Sequence, residues 1–204
     1  FFYRVFYSKM GDMQFVSYLD LMRMIYRIVR ASELPIIYSQ GFNPHPRITF
    51  GPPLSIGIQG EKEYFDVEIS KYYTTEKIES IFSKILPCHI PMVKVENLKT
   101  RFDRKREYST ELIEVTFSDM ESFVKEKLDE FHLKDTCIFE RERKGKIQTN
   151  DLKQIISSIN LSGNKLTINK QIKGASIFDI LAAIFTISRT ESNGIEIIRK
   201  KLLY

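Results

Sequence analysis

The sequence predicts an α+β protein made of two tandem ferredoxin-like (βαββαβ) units with antiparallel sheets. A strand-helix-strand-strand-helix-strand pattern runs through residues 1–100, and it recurs over residues 107–204. The segment 101–106 between them is polar and charged, which is typical of a domain boundary. At 204 residues, the chain is long enough for two domains of roughly 100 residues each, and its 43% hydrophobic composition suffices for a core in each. Such units place their helices on one face of each sheet.

The first strand and helix of unit one have clear local signals. Residues 1–8 are aromatic and β-prone, and Gly11 ends them. Ser17 and Asp20 have the spacing of a capping box, so a helix is expected to begin after Ser17. Its apolar residues recur at helical spacing, which predicts one buried face. They are Leu21, Met22, Ile25, Ile28 and Val29.

The rest of unit one is predicted from alternation and from prolines. In order, we expect a strand at 36–50 interrupted by a loop, strands at 54–59 and 64–69, a helix that follows Thr74 or Thr75, and a strand at 92–95. Residues 64–69 alternate, so one set should face the core and the other should face solvent. The core set is Phe65, Val67 and Ile69, and the solvent set is Tyr64, Asp66 and Glu68.

Unit two repeats the pattern with weaker signals. We expect a strand at 113–117, a helix opened by Ser118, a strand at 137–142, a hairpin around Gly163 and Asn164, a helix capped by Ser176 with Asp179, and a strand at 195–203. The charged clusters 141–146 and 199–201 are expected to face solvent, because charged side chains are seldom buried.

Composition limits the classes of function. The net charge of +5 permits a polyanionic partner without requiring one. Two cysteines outside any motif favour a cytoplasmic protein and cannot hold a four-thiolate iron–sulfur cluster. The three histidines are scattered, so we expect no metal site. The chain has no phosphate-binding glycine loop and no apolar run long enough to span a membrane, so we expect no cofactor and no membrane partner. We also assign no catalytic residue. A binding protein is the preferred interpretation.

The densest candidate site is a proline-bounded loop at 39–47. Pro44 and Pro46 stiffen it, and a stiff loop loses little entropy when it binds a ligand. His45 could contact a phosphate or act as an acid or base. Alternatively, the prolines only shape a turn and His45 is solvated. The candidate ligand-binding side chains of the loop are Ser39, Gln40, Asn43, His45 and Arg47.

A second candidate lies on the exposed face of the first helix. Arg23, Arg27 and Arg30 fall within about 60° of one another at helical spacing. Such a row of guanidinium groups suits phosphates, which arginine binds with paired donors. Alternatively, this face is solvated, with Asp20 and Glu33 as local ion-pair partners.

Several segments of the first half resemble a bacterial family described as radical-SAM-linked proteins of unknown function. The matching segments are residues 15–20, 34–35, 38–47 and 63–68, within a clear match over about residues 3–95. The resemblance implies association with a radical SAM protein, as a separate chain or as the tail of one. Members commonly have a histidine where this chain has Tyr18, which keeps a hydroxyl but is a poor base near neutral pH. We include Tyr18 and Asp20, at the helix start, among the candidate ligand-binding residues.

Three functions follow from these observations. The first is an accessory module without catalytic activity that binds RNA for its radical SAM partner. The second is a protein–protein adaptor of that partner, without RNA. The third is a metal-independent ribonuclease that uses His45 or Tyr18 with the positive charge of Arg47.

Overall fold

The computed structural model describes residues 1–99, 108–118, 120–143 and 145–204. Contacts divide the chain into two compact units, 1–107 and 108–204. The predicted boundary segment 101–106 lies outside the described residues. Helices and mainly antiparallel strands occur in both units, so the predicted α+β class is confirmed. Within the described ranges, no helix has the length and apolar character needed to cross a membrane.

Unit one contains four strands and two α-helices among its described residues. In chain order they are β1 (Phe2–Lys9), α1 (Tyr18–Ala31), β2 (Ile48–Phe50), β3 (Gln59–Glu68), α2 (Thr75–Ile85) and β4 (Met92–Leu98). The strands follow the order β4-β1-β3-β2, and each neighbouring pair is antiparallel. The predicted helix start near Thr74 is confirmed, because the Thr74 hydroxyl caps α2.

Helix α1 begins where the sequence predicts. The Ser17 side chain accepts a hydrogen bond from the Asp20 amide at 3.2 Å, and its hydroxyl donates to the Asp20 carboxylate at 2.7 Å. The buried face of α1 packs into the core of the unit and consists of Leu21, Ile25, Ile28 and Val29. The opposite face is therefore held towards solvent by the packing of the apolar one.

Two of the strands predicted for unit one are wrong or shortened. Only Ile48–Phe50 forms a strand within 36–50, and residues 54–58 form none. Pro44 and Pro46 lack the amide hydrogens that a continuous ladder needs, so this part makes isolated bridges only. Gly57, at φ +89°, turns the chain before β3 begins at Gln59.

The polar face of β3 is buried, contrary to the expectation that it faces solvent. Tyr64, Asp66 and Glu68 are all buried, like the predicted core residues Phe65 and Val67. The reason is a charged partner on the neighbouring strand. Arg4 of β1 lies opposite Asp66 and binds its carboxylate with two hydrogen bonds, of 2.7 and 2.9 Å. Pairing and hydrogen bonding make the burial of both charges tolerable.

Unit two contains six strands and three α-helices among its described residues. They are β5 (Thr110–Thr116), α3 (Glu121–Leu133), β6 (Ile138–Arg143), β7 (Lys146–Asp151), α4 (Leu152–Ile155), β8 (Ile156–Ser162), β9 (Lys165–Gln171), α5 (Ile177–Phe185) and β10 (Glu196–Leu203). Four of the strands follow the antiparallel order β10-β5-β9-β8. The other two, β6 and β7, pair only with each other.

In unit two, the elements predicted from a turn signal at Gly163 and from a capping box at Ser176 are confirmed. The hairpin at Gly163 joins β8 to β9, and Ser176 with Asp179 forms a full capping box at α5. Helix α3, however, begins after Met120 rather than at Ser118. Strand β7 was not expected, because its charged and polar residues resemble a solvated loop.

The second charged cluster predicted to face solvent is partly buried. Arg199 is 2% exposed and donates to Glu111 of the adjacent strand at 3.1 Å. Lys170 of β9, which is 1% exposed, contacts the other carboxylate oxygen of Glu111 at 2.7 Å. The sheet therefore gathers two cations around one carboxylate, a contact between strands that are far apart in the sequence.

Candidate functional site

A surface groove of about 620 Å³ lies between α1 and the loop 39–47. Among the described residues, six line it: Asp20, Arg23, Tyr26, Arg27, Arg30 and His45. Five of them were predicted from the sequence as parts of three separate candidates, and the fold brings them to one place. The sixth, Tyr26, was missed.

The charges of the groove are unevenly distributed along α1. Arg23 donates to the Asp20 carboxylate at 2.9 Å, and both side chains are mostly exposed. Arg27 and Arg30 are exposed and make no hydrogen bond or ion pair with any residue that the structure describes. At the Asp20 end of the groove, the charges of Asp20 and Arg23 therefore cancel. The Arg27–Arg30 end carries two available guanidinium groups.

Asp20 is held in its charged form by its neighbours. A hydrogen bond from the Ser17 hydroxyl, and a second from the Arg23 guanidinium, lower the pKa of the Asp20 carboxyl. The carboxylate consequently remains ionised from neutral pH down into mild acid. It gives the groove one fixed acceptor among cations.

The loop 39–47 is closed by its own hydrogen bonds. The Ser39 amide donates to the His45 carbonyl at 2.8 Å, and the His45 amide donates to the Ser39 hydroxyl oxygen at 3.0 Å. The Arg47 amide donates to the Ile37 carbonyl at 2.8 Å. Ser39 thus shapes the loop instead of lining the groove. The closed loop fixes the backbone of His45, whose side chain is exposed.

Aromatic rings form part of the groove and of its support. The Tyr26 ring meets the Phe50 ring at 5.6 Å with an interplanar angle of 68°, an edge contact that fixes its orientation. The His45 imidazole lies 6.4 Å from the Tyr26 ring. The sequence did contain a signal for Tyr26, because it is three residues from Arg23 and four from Arg30 and therefore shares their helix face.

The remaining sequence candidates lie outside the groove. Gln40 and Asn43 are exposed on the loop. The Arg47 guanidinium is 3.4 Å from the Glu68 carboxylate, which ties the loop to β3. Tyr18 lines a different, much smaller cavity together with Lys9 and Glu63.

The separation of Tyr18 from the groove bears on catalysis. His45 borders the groove, whereas Tyr18 lines the small cavity and packs edge-on against Phe50 at 6.3 Å. A base and a cation that cleave RNA must both reach one phosphate. The ribonuclease hypothesis pairs His45 or Tyr18 with Arg47, and the Arg47 guanidinium is instead held 3.4 Å from the Glu68 carboxylate.

Metal-binding and thiol chemistry have little support in the described residues. No group of three or more histidine, cysteine, aspartate or glutamate residues there is placed to hold a metal ion. Cys88 and Cys137 are free thiols. Burial raises the pKa of the Cys137 thiol, which disfavours its reactive thiolate form.

The fold and the groove define a class: an α+β protein with a basic, aromatic-bearing surface groove. The chain belongs to a bacterial family whose model, described as "Uncharacterized protein conserved in bacteria (DUF2344)", matches residues 3–197. No curated protein matches the chain. The expected membership of a bacterial family of unknown function is confirmed, and the association with radical SAM proteins stays a prediction.

Proposed function

We propose that this chain is a cytoplasmic accessory module, without catalytic activity of its own, that binds RNA for a radical SAM partner. The observation that carries the RNA part is the groove on α1. Two available guanidinium groups, Arg27 and Arg30, lie there beside the rings of Tyr26 and His45. Cations next to aromatic faces suit a ligand that joins phosphates to planar bases.

The arginines supply the phosphate-binding part of the proposal. A guanidinium group presents paired donors to phosphate oxygens and keeps its charge at any physiological pH. Arg27 and Arg30 are about 4.5 Å apart along the helix axis, from the rise per residue. Their long side chains can therefore contact neighbouring phosphates of one strand. The net charge of +5 adds a general attraction for polyanions.

We infer further that each unit is a ferredoxin-like fold. When β6, β7 and α4 are treated as an insertion, unit two has four sheet strands in chain order: β5, β8, β9 and β10. In both units the fourth strand then lies beside the first, the first beside the third, and the third beside the second. This order supports the inference. Ferredoxin-like folds serve many functions, so the proposed RNA binding rests on the groove and not on the fold.

The proposed partner rests on the resemblance of the first half to radical-SAM-linked proteins. With two cysteines, the chain cannot hold an iron–sulfur cluster that is bound by three or four protein thiolates. Any radical chemistry would therefore belong to the partner, and this chain would contribute binding.

Removing the two available arginines tests RNA binding. Arg27→Ala with Arg30→Ala should weaken binding to a fluorescein-labelled single-stranded RNA at low salt, because phosphate contacts are lost. The slope of log affinity against log salt should fall by about 0.7 for each lost contact, so by about 1.4 for both. Fluorescence anisotropy at several salt concentrations measures both quantities.

A matched control removes equal charge elsewhere. Lys77→Ala with Lys84→Ala deletes two exposed cations from α2, outside the groove. This variant should keep nearly the full affinity and slope. If both double variants weaken binding equally, the attraction is a general effect of net charge and the groove is not the site.

An adaptor without RNA is the alternative that a specific observation favours. Phe15, Leu19 and Ile56 are large apolar side chains that remain exposed. The Gly57 amide donates to the Gln14 carbonyl at 2.9 Å, which brings the turn at Ile56 beside Phe15. Exposed apolar patches often mark protein interaction sites. A complex with the radical SAM partner that survives nuclease and moderate salt would favour this alternative.

A further inference from the structure

We propose that the groove selects single-stranded RNA by stacking one unpaired base on Tyr26, with the adjoining phosphates at Arg27 and Arg30. This inference rests on the proposed RNA binding and names the form of RNA that the same groove takes. It depends on the ring geometry, on the size of the groove and on the distribution of charge.

Tyr26 is presented as a stacking surface. Its ring is half-buried, and the edge contact with Phe50 holds it in one orientation. Because the residue also lines the groove, part of the ring stays accessible to a ligand. The exposed His45 imidazole borders the same space at 6.4 Å. A base that enters there meets a preoriented ring and an adjacent polar edge.

Stacking on a protein ring requires a base with a free face. Within a duplex, neighbouring base pairs cover both faces of each base, so an A-form helix offers mainly phosphates and 2′-hydroxyls. An unpaired base can leave its stack and place its face on an aromatic side chain. The groove volume of about 620 Å³ lies within the range of small-molecule pockets, which fits a unit of nucleotide size.

The charges orient the strand within the groove. Asp20 and Arg23 neutralise each other as an ion pair, so the net positive charge of the groove, and with it the phosphate backbone of the ligand, is expected at the Arg27–Arg30 end. A carboxylate accepts hydrogen bonds from the amino groups of bases and from the 2′-hydroxyl. Asp20 therefore lies where a base or ribose can donate to it. A ligand of phosphates alone would leave Tyr26 without a role.

The test compares one RNA sequence in two forms. A fluorescein-labelled 12-nucleotide strand is titrated alone and after annealing to its complement, with the wild type, Tyr26→Leu and Tyr26→Phe. Tyr26→Leu should lower affinity for the single strand about 5- to 150-fold, as expected for the loss of one stacked base. Tyr26→Phe should retain affinity because it retains the ring. Binding to the duplex should be weaker from the start and unaffected by either change.

A second variant guards against a folding defect. Leucine at position 26 loses the edge contact with Phe50, so the thermal midpoint of each variant is measured first. His45→Ala removes an exposed side chain that packs little, and it should selectively weaken single-strand binding by about threefold or more.

The outcomes separate the two levels of the proposal. Equal affinity for both RNA forms, with no effect of Tyr26→Leu or His45→Ala, would overturn the single-strand inference and leave RNA binding intact. Absence of binding to either form at low salt would overturn the proposed RNA function itself, and this inference with it.

Discussion

Asp66→Ala is expected to lower the free energy of unfolding by about 3–5 kcal/mol, because it leaves the Arg4 guanidinium buried without its carboxylate. Arg4 is 2% exposed and Asp66 is 1% exposed. Two hydrogen bonds, of 2.7 and 2.9 Å, join them across β1 and β3. The guanidinium also lies over the Tyr64 ring at 4.0 Å, so it has little freedom to reach water after the substitution.

Urea denaturation followed by circular dichroism measures this effect. With a denaturant slope of about 2 kcal/mol/M, the urea midpoint should move down by about 2 M. Lys94→Ala serves as the control, because its pair with Glu96 is exposed and of similar length, 2.9 Å, and Lys94 lies opposite Phe6 and not opposite Arg4. A surface pair contributes about 0–1 kcal/mol. Equal shifts for the two variants would contradict the idea that burial gives the Arg4–Asp66 pair its large effect.

A further variant separates loss of pairing from loss of packing. Arg4→Met combined with Asp66→Leu replaces both charges by apolar side chains. Such replacements of buried pairs are often neutral or stabilising. The double variant should recover most of the stability that Asp66→Ala loses. If it remains as unstable as the single variant, the cost comes from altered packing and not from the loss of the ion pair with Asp66.

Glu111→Ala should have an effect at least as large in unit two. The carboxylate lies between Lys170, at 2.7 Å, and Arg199, at 3.1 Å. Its removal leaves two buried cations near each other, so repulsion adds to the roughly 3–5 kcal/mol expected for one broken buried pair. Glu111→Ala should therefore lower the urea midpoint substantially, because whole domains are stable by only about 5–15 kcal/mol.

The neighbouring Glu114 is the control for Glu111. It lies on the same strand, and its carboxylate contacts Lys165 at 3.2 Å in a pair whose lysine is mostly exposed. Glu114→Ala should change the urea midpoint only slightly. A midpoint for Glu111→Ala that matches the Glu114→Ala value would show that the cation cluster tolerates the loss of its carboxylate.

The buried charges of unit one also support the candidate site. Asp66 and Glu68 lie on the same strand, and Glu68 contacts the Arg47 guanidinium at the end of the loop 39–47. The register pairs Ile48 of β2 with Val67 and Phe50 with Phe65. Phe50 then meets the Tyr26 ring. The position of that ring is thus set by β2 and by β3, the strand that is paired with it. Rigid elements of this kind hold binding groups more precisely than free loops.

Local chemistry made part of the fold predictable. The caps at Ser17, Thr74 and Ser176 act within three residues of the chain, and the structure has each of them where the pattern indicated. The apolar stripe of α1 predicted which face is buried and therefore placed Arg23, Arg27 and Arg30 on the other. Strands that are not bounded by a cap or a turn signal were less predictable. The strand expected at 54–59, for example, does not form, and β3 begins only at Gln59.

The candidate site was predictable residue by residue but not as one groove. The arginine row and the His45 loop were recognised separately, because each is a local pattern. Their meeting depends on how α1 packs on the sheet and on how β2 carries the loop towards it. Helical spacing places Tyr26 on the face of Arg23 and Arg30, but the spacing alone does not say whether a tyrosine supports a core or faces a ligand.

By itself, the sequence determined the α+β class, the helix caps at Ser17, Thr74 and Ser176, and the buried face of α1, since each depends on neighbouring residues and on side-chain period. Only the tertiary structure decided that Asp66 and Arg199 are buried and that Tyr26 meets His45. Those outcomes depend on partners far along the chain, Arg4 for Asp66 and Glu111 for Arg199. An alternating strand has the same sequence pattern whether its polar side faces water or an opposite charge. The pattern alone therefore cannot tell whether a charged side chain is buried, and the packing of the strands decides it.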